Sequence, residues 1–260
     1  MRNVPSDYYT RLHAIERSHW WQIGMRKASA ALLGSRLAGN GSSLLDAGCG
    51  SGGFIAWISE SWTFDRLCGV DLSPEAIALA RQLCPRAELH VAPLHELPFE
   101  DAEFDVVVTN DVLQHVDDEL VAPSLQELHR VLRASGTLLV RTNAARHARR
   151  ERRDWRVYDE QLLRGELENA GFRIVRMTHA NAVLGAIGSL RGKMPAAPTD
   201  TKCGIPVASG RLRGAIGRTV LGLEAACLRR GLRLPYGHTL FALAETGEHL
   251  DLTGSRGGVR

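Results

Sequence analysis

From about residue 43 to about residue 179 the chain alternates short apolar or β-branched runs with helical patterns, the sequence form of a parallel sheet with crossover helices. Strands are predicted at Ser43–Ala47, Arg66–Asp71, Ala87–Ala92, Phe104–Asn110, Thr137–Thr142 and Phe172–Thr178, most of them bounded by Gly, Pro or charged turns. Between them, Ser73 with Pro74 and Glu75 supplies an N-cap and first turn for a helix that runs to about Cys84, where Pro85 stops it. Leu120–Leu132 and Glu160–Ala170 read as further amphipathic helices, the second ended by Gly171.

With 260 residues, 44% of them hydrophobic, the chain can bury a full core without staples. Its five cysteines are an odd number with no C-x-x-C pair, which points to a reducing cytoplasm. No apolar run is long enough for a signal peptide or a membrane span, so secretion and membrane spanning are not expected. A net charge of +3 is too small to argue for nucleic acid. Four segments follow: a helical N-terminal cap over 1–38, an α/β core over 39–179, an insertion over 180–236, and a closing strand and tail over 237–260. The insertion carries a helical pattern through Leu212, Ile216, Val220, Leu223 and Leu228 and precedes a strand near His238–Ala244. It reads equally as a substrate lid or as a packing appendage.

The sharpest local signal is LLDAGCGSGGF, Leu44–Phe54: a strand, a glycine cluster, then a helix starting near Phe54. Glycines at such a turn permit positive φ and let backbone N–H groups approach a ligand. Gly48, Gly50 and Gly53 satisfy G-x-G-x-x-G, a spacing shared with nicotinamide and flavin dinucleotide folds. Asp46, just before the glycines, suits a cation and repels a pyrophosphate. S-adenosylmethionine (SAM) carries an ammonium and a sulfonium but no phosphate, so it matches this carboxylate. Asp71 ends the next strand, roughly 20 residues beyond the turn, where a carboxylate accepts ribose hydroxyls.

LLDAGCGSGGF, GVDLSPEAIALAR, LPFEDAEFDVVVTNDVLQHV, RVLRASGTLLVRT and RVYDEQLLRGELENAGFRIV together, in this order, resemble the class I SAM-dependent methyltransferases, in particular their small-molecule branch. The resemblance implies a Rossmann-like seven-stranded, mostly parallel sheet with an antiparallel last strand, for which LPYGHTLFALAE is the match. It also implies that SAM is the cofactor, with Gly48 and Gly50 flanking the methionine moiety and Asp46 fixing its ammonium side. Asp71 would hold the ribose, Leu72 would stack beside the adenine, and Asn110 would contact the methionine end from across the site. Where the family often carries an acid for the adenine amino group this chain has Ala92, Pro93 and Leu94, which leaves the Leu94 backbone as the adenine contact. SHWWQIGMRK, Ser18–Lys27, resembles a segment in which an arginine pairs with the SAM carboxylate, and Arg26 is the match.

Methyl transfer from a sulfonium needs positioning and desolvation first, and a base only where the acceptor must lose a proton. His115 is the best placed of the ten histidines for that role. Asp111 and His115 match two positions of a metal-binding signature in ubiquinone-type O-methyltransferases, but Gln114 replaces a carboxylate, so no metal is expected. Tyr8, Tyr9 and His19 of the cap are further groups able to reach an acceptor. Arg141–Arg156 holds seven arginines against two acids and reads either as a grip for an anionic acceptor or carrier protein, or as a solvated connection. The expected partner is a small, partly hydrophobic or anionic metabolite, not nucleic acid. The alternatives are a SAM-fold protein serving as a cyclase or regulatory binding module, and a nicotinamide-dependent oxidoreductase.

Overall fold

A computed structural model describes residues 8–37, 42–144, 156–190 and 210–247. Two helices, α1 (Tyr8–Glu16) and α2 (Trp20–Leu33), precede β1 (Ser43–Ala47), α3 (Gly53–Ser59), β2 (Arg66–Asp71), α4 (Pro74–Leu83) and β3 (Glu88–Val91). Then follow β4 (Phe104–Asn110), α5 (Asp118–Arg130), β5 (Leu132–Asn143), α6 (Glu160–Asn169), β6 (Phe172–Ala180), α7 (Ala182–Leu190), α8 (Arg211–Arg229) and β7 (Thr239–Thr246). The seven strands form one sheet in the order β3-β2-β1-β4-β5-β7-β6. Pairings among β1 to β5 are parallel, and β7 runs antiparallel to both β5 and β6. This is the expected mostly parallel α/β sheet with an antiparallel last strand.

The central strands β1, β4 and β7 are covered on both faces, which is why they read as apolar runs, whereas the edge strands β3 and β6 mix exposed and buried positions. Leu45, Val107, Leu138 and Val140 point to the layer that holds Leu125 and Leu128 of α5 and Leu163 and Leu167 of α6. Their neighbours Leu44, Val106, Val108 and Leu139 point to the opposite layer, against Met25 and Leu32 of α2 and Leu221, Ala225 and Leu228 of α8. α2 and α8 approach closely through two glycines: a Cβ on Gly24 would collide with Leu221, and one on Gly217 with Trp20. Glu224 of α8 is buried and accepts the N–H groups of Asn181, Ala182 and Val183 at 2.6, 2.9 and 3.0 Å, which ties α8 to the start of α7.

Local chemistry explains most element boundaries. Ser73 caps α4 through the Ala76 N–H at 3.2 Å, and Asp159 caps α6 through Leu162 N–H at 2.8 Å. Gly171, at φ +93°, ends the α6 segment as its sequence position implies. The predicted Thr137–Thr142 strand begins earlier, at Leu132, and the helix before it ends at Arg130 rather than Leu132. The added residues form an irregularity: Phe104 pairs with Leu132 but Val106 pairs with Thr137, and Ser135 takes a positive φ of 61°.

Candidate functional site

In this strand order the chain leaves β1 towards β2 and β3, then returns to place β4 on the other side of β1. That switch opens a crevice at the carboxyl ends of β1 and β4. The glycine turn lies here, with Gly48, Gly50 and Gly52 at φ +90°, +53° and +85°. Gly48 and Cys49 donate their N–H groups to the Val70 carbonyl, both at 2.8 Å, which holds the turn against β2. A Cβ on Gly48 would collide with Val112 across the crevice. Gly53 has an ordinary φ and is a glycine because the Glu16 carboxyl group fills the space of a Cβ.

Four side chains from separate elements converge on this turn. Asp46 is 2% exposed and its Oδ1 has no hydrogen-bond partner. Burial, then the Glu16 charge, pushes its carboxyl up to about 8. Arg26 of α2 is 4% exposed; its Nη2 lies 3.8 Å from Glu16 Oε1 and makes no hydrogen bond, and burial lowers its pKa. Asn110, at the end of β4, leaves both amide atoms without a partner. Asp71 is buried, accepting Gly50 N–H and Ser73 N–H, each at 2.9 Å, and the Tyr9 hydroxyl at 3.4 Å, and burial raises its pKa.

Unpaired buried polar atoms of this kind are rare in folded proteins and point to a missing partner. Here Asp46 Oδ1, Arg26 Nη2 and both amide atoms of Asn110 lack a hydrogen-bond partner around a glycine cradle, next to the Asp71 carboxyl at a ribose position. Those leftover groups complement an ammonium, a carboxylate and a ribose, so the residues present fit SAM. A dinucleotide fits less well, because a pyrophosphate would supply Asp46 with no cation to pair with its buried oxygen.

The same cleft continues away from the turn. Gly48, Asp71, Leu72, Pro93 and Leu94 line one side and Val112, His115, Val116, Leu120 and Ser124 the other. Leu72 is 41% exposed and Leu94 buried. His115 ends a 3₁₀ turn, Leu113–His115, with its Nε2 3.4 Å from Gln114 Nε2. Thus the residues expected for the cofactor and for the base gather in one region: Arg26, Asp46, Gly48, Gly50, Asp71 and Asn110 at the turn, and Leu72, Leu94 and His115 along the cleft.

Other candidate residues have partners of their own. Tyr9 directs its hydroxyl to Asp71, and His19 is the buried N-cap of α2, its Nδ1 accepting from Trp21 N–H at 3.3 Å. The arginine-rich segment is committed at both described ends. Arg141 is buried, paired with Asp111 at 2.7 Å and stacked on the Trp21 ring, and Arg156 bonds Asp118 and Glu166. Residues 145–155 lie outside the described residues. Asp111 is consumed by Arg141, and among the described residues no group of three or more His, Cys, Asp or Glu could hold a metal. Gln114 is a scaffold residue, its side-chain oxygen accepting Asn143 N–H at 2.9 Å.

Sequence reasoning missed Glu16. It is buried at the end of α1, accepts from the Ser51 hydroxyl at 2.5 Å, faces Arg26, and is raised in pKa mainly by burial. Its only sequence signal is an acid just before the aromatic SHWW segment.

A methyltransferase-domain family profile matches residues 45–140. Malonyl-(acyl-carrier protein) O-methyltransferase from Enterobacter lignolyticus is 35% identical over 139 residues, 52% of this chain and 53% of that protein. The chain spans between 34% and 53% of the length of the first curated relatives it matches. Among solved structures, the Burkholderia thailandensis 1,6-didemethyltoxoflavin N1-methyltransferase, with S-adenosylhomocysteine bound, superimposes at TM-score 0.55 and 22% identity. That match covers 95% of this chain and 92% of the other. The [4+2]-cyclase SpnF superimposes at TM-score 0.58 and 19% identity over 88% and 84%. Residues 45–140 thus match a methyltransferase domain, in a stretch where the curated relatives include SAM-dependent methyltransferases.

Proposed function

We propose that the chain transfers a methyl group from SAM to an oxygen, nitrogen or carbon nucleophile of a small biosynthetic metabolite, leaving S-adenosylhomocysteine. The observation that carries this reading is the set of unpartnered buried polar atoms on Arg26, Asp46 and Asn110 around one glycine turn. SAM, when bound, supplies an electrophilic methyl group on a sulfonium. Arg26 binds the carboxylate of its amino-acid end and Asp46 the ammonium, while Asn110 contacts that end from β4. Asp71 accepts the ribose hydroxyls, held in orientation by the Gly50 and Ser73 N–H groups and by Tyr9. Leu72 and the Leu94 backbone contact the adenine.

His115 lies in the same cleft and is assigned the general base for acceptors that must lose a proton. Val112, Val116 and Leu120 give that end of the cleft an apolar wall, which supports a partly hydrophobic acceptor and excludes water from the reacting pair. A cytoplasmic location belongs to this reading, supported by the free thiols of Cys49, Cys68, Cys84 and Cys227. The N-terminal cap and the insertion are assigned to this same folded unit, since α2 and α8 complete one layer of the core.

The test is incubation with methyl-labelled SAM and a panel of hydroxyl, amine and carbon-acid acceptors, reading S-adenosylhomocysteine release. Label transfer to at least one acceptor is expected. With an oxygen or amine acceptor, His115→Gln should lower kcat and remove the low-pH limb of its pH profile, where protonation silences the base. SAM binding without transfer to any member of the panel would favour a cyclase or a binding module.

A further inference from the structure

Among the described residues, the outer face of α8 is a feature the catalytic reading leaves unused. Its inner face is fully engaged: Leu221, Ala225 and Leu228 are buried against α2 and the sheet, and Glu224 caps α7. The opposite face nevertheless carries Leu212, Ile216 and Leu223, which are 76%, 51% and 64% exposed. Spaced by four and seven positions, they form one line along the helix crest. Arg213 flanks this line on one side and Arg218 and Arg229 on the other, all exposed. The sole acid of α8 is the buried Glu224, so the outer face is apolar along its crest and cationic along its margins.

The helix also has a definite direction relative to the cleft. Leu221 packs at Gly24, and one turn earlier Gly217 packs at Trp20, the first residue of α2. The neighbouring Trp21 covers Arg141 near the carboxyl end of β5. Moving from Leu223 to Leu212 therefore moves towards the rim where the strands end and the cleft opens.

We propose that the outer face of α8 docks this protein on an anionic phospholipid surface. An apolar line bordered on both sides by arginines is the arrangement of helices that lie in a bilayer interface, with aliphatic side chains among the acyl chains and guanidinium groups at the phosphates. α8 is embedded along its inner face, so among the described residues it is the crest that is open to a partner surface. Among the described residues no helix is long and apolar enough to cross a membrane, so the contact is peripheral.

The test is flotation of the full chain with phosphatidylglycerol-rich vesicles and with pure phosphatidylcholine vesicles, at low and high salt. Binding to the anionic vesicles is expected, weakened by salt. Arg213→Gln with Arg218→Gln should reduce it roughly thirtyfold. The triple change Leu212→Ser, Ile216→Ser and Leu223→Ser should reduce it to the phosphatidylcholine level. Thermal unfolding and S-adenosylhomocysteine binding of these variants serve as the folding control, since the altered side chains are exposed. Absence of wild-type binding, or binding that the triple change leaves intact, would overturn the proposal. A wild-type dimer that ignores vesicles and becomes monomeric in the triple variant would instead give the crest to a second copy of the chain. Because flotation requires no SAM, its outcome is separate from that of the methyl-transfer reading.

Discussion

Gly48 and Gly53 belong to the same turn and are glycines for different reasons, one for its backbone and the other for the space beside it. Gly48 combines φ +90° with a Cβ position that Val112 occupies. Gly48→Ala is expected to destabilise the domain by roughly 1–3 kcal/mol in urea titrations and to abolish S-adenosylhomocysteine binding. Glu16, which fills the space beside Gly53, holds the Ser51 hydroxyl and orients Arg26. Glu16→Gln should weaken S-adenosylhomocysteine roughly tenfold or more. It should leave methylthioadenosine, which lacks the amino-acid end, nearly unaffected; equal losses for both would assign Glu16 a purely structural role.

Asp46 makes a pH prediction. Its carboxyl is raised to about 8 in the ligand-free fold, above the unfolded value, so the folded state holds a proton that the unfolded chain releases. Its contribution to stability is therefore full below the unfolded carboxylate pKa and is lost as pH rises towards about 8. Glu16 and Asp71 shift in the same direction. Thermal midpoints of ligand-free protein should fall over this window, and Asp46→Asn should flatten the slope. An unchanged slope in that variant would mean Asp46 is ionised throughout.

At the scale of elements, the joint between α2 and α8 depends on Gly24, where a methyl group would meet Leu221 close to its backbone. Gly24→Ala should cost about 1–3 kcal/mol by overpacking, read in urea unfolding, with little change in ligand affinity. All seven strands were recognisable in the sequence, the central ones because burial on both faces gives apolar runs and the edge strands β3 and β6 from the turns that bound them. The start of β5 was not: Ser135 at φ 61° and the register shift opposite Phe104 let Arg133–Gly136 join a strand whose apolar run begins later. The docking of α1 was equally hidden. Tyr9 meets Asp71 and Glu16 meets Ser51 across long stretches of chain, and helical periodicity says which face is buried without saying which turn it covers.

At the scale of the molecule, one strand-order reversal does most of the positioning. It sets β1 beside β4, so that Asp46, the glycine turn and Asn110 share a crevice, and it leaves the outer layers to bring Arg26 from one side and His115 from the other. The glycine motif alone was ambiguous between a dinucleotide and SAM; the buried Asp46, whose Oδ1 has no hydrogen-bond partner and which an ammonium would pair, favours SAM. Isothermal titration with SAM, S-adenosylhomocysteine and NADH, with Asp71→Ala as control, tests this directly. The account predicts binding of SAM and S-adenosylhomocysteine, lost on Asp71→Ala, and none of NADH. Binding of NADH alone, or SAM binding indifferent to Asp71, would contradict it.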